Sequence, residues 1–71
     1  MELKRRFYIR LKTILNKHGI VGAFRTSYLN FALELSRGKP MTYLFDKYVR
    51  KRKLDPVVLL EIYDAYRRLV L

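Results

Sequence analysis

Apolar residues recur at steps of three and four along nearly the whole chain, and the strict alternation of a half-buried strand is rare, so the pattern predicts an all-α protein. In the first segment Leu3, Phe7, Leu11, Ile14 and His18 lie on one helical stripe, with Tyr8 and Leu15 beside it. Lys17 and His18 suit the negative end of a helix dipole, and Gly19 is a natural left-handed stop. The second segment carries Ile20, Phe24, Tyr28, Phe31 and Leu35 on one stripe and Leu29 and Leu33 on another. A helix apolar on two sides belongs in the centre of a bundle.

Gly38-Lys39-Pro40 breaks the chain, and Pro40 suits the first turn of a third helix whose stripe is Met41, Leu44, Phe45, Tyr48 and Val49. That helix dissolves into Arg50-Lys51-Arg52-Lys53. The fourth has the clearest start. Asp55 can accept orphan backbone N–H groups as N-cap, Pro56 takes the first helical position, and Leu54 and Leu59 are spaced as a hydrophobic staple. Its stripe runs through Val58, Leu59, Ile62, Ala65, Tyr66 and Leu69, and Asp64 and Arg68 can pair on the polar side. The expected architecture is a small bundle of four short helices at about 3–18, 20–37, 40–52 and 55–70, forming one domain over 1–71.

Composition narrows the function. The 71 residues include no cysteine and one histidine, so neither a disulfide framework nor a structural zinc site is expected. The acids are scattered, Ser27 and Ser36 lack a base at recognisable spacing, and Gly19 and Gly22 precede no Walker-type Lys-Ser/Thr. No catalytic residue, metal, cofactor or small-molecule substrate is therefore expected, and the chain reads as a non-enzyme. No apolar run approaches the roughly 20 residues of a membrane span, and the basic start is not followed by a leader's apolar stretch. A soluble, cytoplasmic protein is the expectation. The lack of Gln and Cys and the wealth of Lys, Arg, Tyr and Leu lean toward a thermophilic source.

Charge changes the picture most. Sixteen Lys and Arg oppose six Asp and Glu, for a net +10, and in so small a domain self-repulsion is a standing cost. The charge is segregated: +5 over residues 1–17, +1 over 18–38, +5 over 39–54 and −1 over 55–71. A merely solubilising surface would not need that division. On the first helix, at about 100° per residue, Arg5 and Lys12 flank one side of the apolar stripe and Arg6, Arg10 and Lys17 the other. Ile9 sits between them, facing away from the core. The run Arg50-Lys51-Arg52-Lys53 exceeds what capping a helix C-terminus requires, and Lys39 and Lys47 extend it. Tyr43, on the same exposed face, can stack or bond to a phosphate. Arg5, Arg6, Arg10, Lys12, Lys47, Arg50, Lys51, Arg52 and Lys53 are thus the candidate nucleic-acid contacts. His18 is read as a capping residue, and Tyr8, Tyr28, Tyr48 and Tyr66 as core or boundary.

Val57, Leu60 and Leu71 lie off the main stripe of the fourth helix, among Glu61, Asp64, Arg67 and Arg68. This near-neutral helix is a candidate protein interface through Val57, Leu60, Arg67 and Leu71, to a larger partner or a second copy. The expected function is a nucleic-acid-associated accessory subunit of a replication, transcription or translation assembly. It would contact DNA or RNA phosphates with low sequence specificity. Competing expectations are an adaptor for an acidic protein surface and a helix-turn-helix regulator. The latter is disfavoured because its second helix would be the acidic-faced one.

Overall fold

A computed structural model describes residues 3–71 and shows four helices without strands among them. Helix α1 spans Arg5–Lys17, α2 spans Gly22–Ser36, α3 spans Met41–Phe45 and α4 spans Pro56–Leu69. Helix α3 runs on without a break into a π-helical stretch, Asp46–Lys51, and the two together are called helix 3 below. The Cα radius of gyration, 11.0 Å, equals the roughly 11 Å expected for a close-packed chain of this length.

Each helix buries the middle of the stripe its periodicity marks. Phe7, Leu11, Ile14 and Leu15 of α1 meet Val58, Leu59, Ile62 and Ala65 of α4 in one core with Tyr28, Phe31, Ala32 and Leu35 of α2 and Leu44 and Tyr48 of helix 3. Helix α1 packs on α4, α4 also on α2, and α2 on α3. The two-faced apolar pattern of α2 thus has its two neighbours, although α4 also lies between two helices. Phe7 meets Tyr66 edge-on, with ring centroids 5.5 Å apart, and Phe31 meets Tyr48 in the same way at 5.5 Å.

The punctuation is local chemistry. Gly19 and Gly38 adopt φ of +68° and +88° at the ends of α1 and α2, where a side chain would be strained. At the start of α4 the Asp55 carboxylate accepts from the Val57 N–H at 2.9 Å, with Pro56 in the first turn. The Asp55 N–H in turn donates to the Tyr28 hydroxyl at 2.8 Å, which fastens that turn to α2. Leu54 and Leu59 are both buried, as a staple requires. Asp64 and Arg68 pair at 3.1 Å.

Two expectations need correction. Phe24 shares the stripe of Tyr28 and Phe31 yet is 62 % exposed. Helix α2 begins at Gly22 with φ +65°, so Phe24 falls in its first turn, beyond the reach of the core. Leu69 likewise emerges at the last turn of α4 and is exposed. Helical period sets the direction of a side chain but not whether another element stands opposite it. Helix 3 ends within the basic run, as expected. The Arg52 N–H reaches back five residues to the Lys47 carbonyl at 3.2 Å, and the Leu54 N–H reaches Tyr48 at 2.8 Å. Lys53, where a glycine is usual, holds φ of +60°.

Candidate nucleic-acid interface

Helix 3 and the residues flanking it place charged and aromatic side chains in an alternating row. The Lys39 ammonium lies 5.7 Å from the centre of the Tyr43 ring, and Lys47 lies 5.8 Å from the same ring. Lys47 is also 5.4 Å from the Tyr48 ring, and the Arg52 guanidinium is 5.4 Å from it. The order is therefore Lys39, Tyr43, Lys47, Tyr48, Arg52, each neighbour within cation–π range of the next. Tyr48 and Arg52 stand four apart, so their contact keeps the α-helical interval although the backbone there closes as a π-helix.

Glu34 of α2 locks the row from beneath. Its side chain is only 15 % exposed and accepts from Lys47 Nζ at 2.9 and 3.1 Å and from the Tyr48 hydroxyl. Partial desolvation opposes its charge. The hydrogen bonds from Tyr48 and Lys47 and the charges of Lys47 and Lys39 outweigh it, and hold the carboxyl below its ordinary value. The hydrogen bond to Glu34 raises Lys47, and burial followed by that same carboxylate pushes the Tyr48 phenol up. Tyr48 therefore stays a donor and Lys47 a cation. Beside them is a cleft of about 300 Å3 bordered by Asn30, Arg37, Lys47 and Arg52.

Sequence reasoning assigned Glu34 no role. Its only trace there was an acid set between Leu33 and Leu35, and nothing in the spacing names Tyr48, fourteen residues away, as its partner. Lys47, expected on an open face, is part-buried and committed to this carboxylate. Of the run that follows, Arg50 pairs with Asp46 at 2.8 Å and Lys51 approaches the same acid at 3.9 Å, both on the surface. Such pairs are weak and open readily to a competing anion.

No family model, curated protein or solved structure matches the chain.

On α1, Arg5, Arg6, Arg10 and Lys12 are exposed, with Lys12 at 5.4 Å from the Tyr8 ring. Arg6 and Arg10 flank the exposed Ile9 and, with Thr13 and Leu69, border a shallow depression. Arg10 also faces α4, beside Glu61, Asp64 and Arg68. Lys17 pairs with Glu61 at 2.8 Å, and His18 contacts its other oxygen at 2.7 Å. These two contacts hold the Glu61 carboxyl below its ordinary value. His18 is the C-cap residue of α1, as expected, but it also ties that helix end to α4. The two basic elements rest on different neighbours, α1 on α4 and helix 3 on α2.

Val57 and Leu60 on α4, and Leu71 just beyond its end, are exposed. Leu60 borders an apolar groove of about 330 Å3 shared with Met41, Phe45 and Tyr63, which the sequence did not connect. Arg67 lies 5.8 Å from the Tyr63 ring at its margin. Among the described residues no group of three or more His, Cys, Asp or Glu could hold a metal ion, and no helix is long and apolar enough to cross a membrane.

Proposed function

We propose that this protein is a non-catalytic nucleic-acid-associated module that contacts DNA or RNA phosphates and docks on a larger replication, transcription or translation assembly inside the cell. The observation that carries the reading is the division of the +10 charge. It gathers on α1 and around helix 3, with exposed Arg5, Arg6, Arg10 and Lys53 having no acidic partner among the described residues. Polyphosphate binding gains from such clustering because each neutralised phosphate releases condensed counterions. Base reading has little support. Helix α4, the second element of the helix 3–turn–α4 pair, carries Glu61 and Asp64 on its polar side and is unsuited to a major groove. The groove around Leu60, with Val57, Arg67 and Leu71 nearby in sequence, suits a protein partner or a second copy.

Binding to labelled DNA and RNA across a salt series tests this. Affinity should fall log-linearly with salt, and replacing Arg50, Arg52 and Lys53 together by Ala should flatten the slope by about one per lost phosphate contact. Absence of binding at low salt overturns the reading and leaves the acidic-protein adaptor. An unchanged slope in the triple variant removes this segment from the interface. Light scattering on Leu60→Glu separates the docking modes, since loss of a dimer identifies self-association.

A further inference from the structure

The row on helix 3 goes beyond phosphate contact. We infer that the ligand is a single strand of nucleic acid, with an unpaired base stacked on the Tyr43 ring and its backbone carried by the cations on either side. This rests on the nucleic-acid reading and specifies it.

Three features of the surface point that way. Tyr43 is 45 % exposed, while Tyr48 beside it is 1 % exposed, so one ring of the row is available to a ligand and the other anchors it. A duplex hides its base faces and offers phosphates alone, for which an exposed ring is of little use. A single strand offers both faces and phosphates, and base–aromatic stacking tolerates any sequence. The cations stand where such a strand needs them. Lys39, over the Tyr43 ring at 5.7 Å, is exposed and can swing from the ring to a phosphate as a base takes its place. Arg52 already lies on the Tyr48 ring, so the outer face of its guanidinium offers a second plane for stacking.

Glu34 makes the row rigid. By binding Lys47 and the Tyr48 hydroxyl it holds the middle of the row before any ligand arrives, which lowers the ordering cost of association. Lys39 and Arg52 at the two ends of the row can carry the backbone, and the Asn30 amide at the cleft can meet a base edge.

Fluorescence anisotropy on one labelled RNA strand of about 12 nucleotides, alone and annealed to its complement, is the test. The single strand should bind at least about tenfold tighter than the duplex at equal salt. Tyr43→Ala should weaken the single strand by about 5- to 100-fold and Tyr43→Phe by less than about twofold, with duplex binding unaltered in both. Circular dichroism verifies that these surface variants stay folded. Salt-dependent binding of duplex at least as tight as single strand overturns the inference but leaves the phosphate-contact reading standing. So does a Tyr43→Ala loss equal on both forms, or a Tyr43→Phe loss equal to that of Ala. Binding to neither form overturns both.

Discussion

Tyr48→Phe deletes one oxygen from the lock beneath helix 3. The ring is fully buried and packs edge-on against Phe31, so phenylalanine keeps its shape and leaves almost no cavity. What disappears is a hydrogen bond donated to a part-buried carboxylate, since Glu34 keeps only the Lys47 ammonium. Hydrogen bonds to charged groups contribute about 1.5–3 kcal/mol, so a loss of about 2 kcal/mol is expected at neutral pH. In a domain of this size that lowers the melting temperature by about 8–16 °C. The effect must depend on pH, and its sign follows from Glu34. Because the folded carboxyl titrates below its unfolded value, its stabilisation is present above the unfolded value and is lost as pH falls through the folded one. Removing the Tyr48 hydroxyl raises the folded value toward the unfolded one, so the wild-type advantage shrinks on acidification. Denaturant titrations of both proteins at about pH 7 and about pH 3, in added salt to screen the net charge, measure this difference. A difference below about 0.5 kcal/mol at neutral pH, or one equal at both pH values, would refute the argument.

Lys53→Gly should stabilise the protein by about 1 kcal/mol in thermal melts, because φ of +60° strains any residue with a Cβ. If the same variant weakens nucleic-acid binding, the strain is tolerated for the charge. Phe24→Ser should change stability by less than about 0.5 kcal/mol, whereas Phe31→Ala, fully buried, should cost about 3–5 kcal/mol, and equal losses would contradict the placement of α2. Asp55→Ala should cost about 1 kcal/mol through loss of the cap on the Val57 N–H, measured as a lower denaturant midpoint at unchanged slope.

Much of the candidate interface was legible before any fold was known. The basic run, the Tyr43 position and the neutral fourth helix are properties of the chain order itself. The row on helix 3 was only half legible. Lys39, Tyr43 and Lys47 recur at intervals of four, as do Tyr48 and Arg52, but nothing in the spacing shows that Lys47 lies over the Tyr48 ring and joins the two series. Glu34 was not legible at all. Side chains fourteen residues apart on different helices meet only when the packing angle and height of those helices are set.

The sequence by itself determined the four helices, their glycine and Asp55-Pro56 boundaries and the segregation of charge. Each depends on chemistry within a turn or two of backbone, where period, capping groups and φ preferences act without reference to the rest of the chain. Tertiary structure decided which stripe positions found a neighbour and which, like Phe24 and Leu69, ran past the end of the core. It also decided that Lys47 is held rather than free, that His18 reaches Glu61, and that Leu60 opens onto Met41, Phe45 and Tyr63. Those outcomes depend on distances between elements, and a one-dimensional pattern fixes the directions of side chains but not what stands across from them.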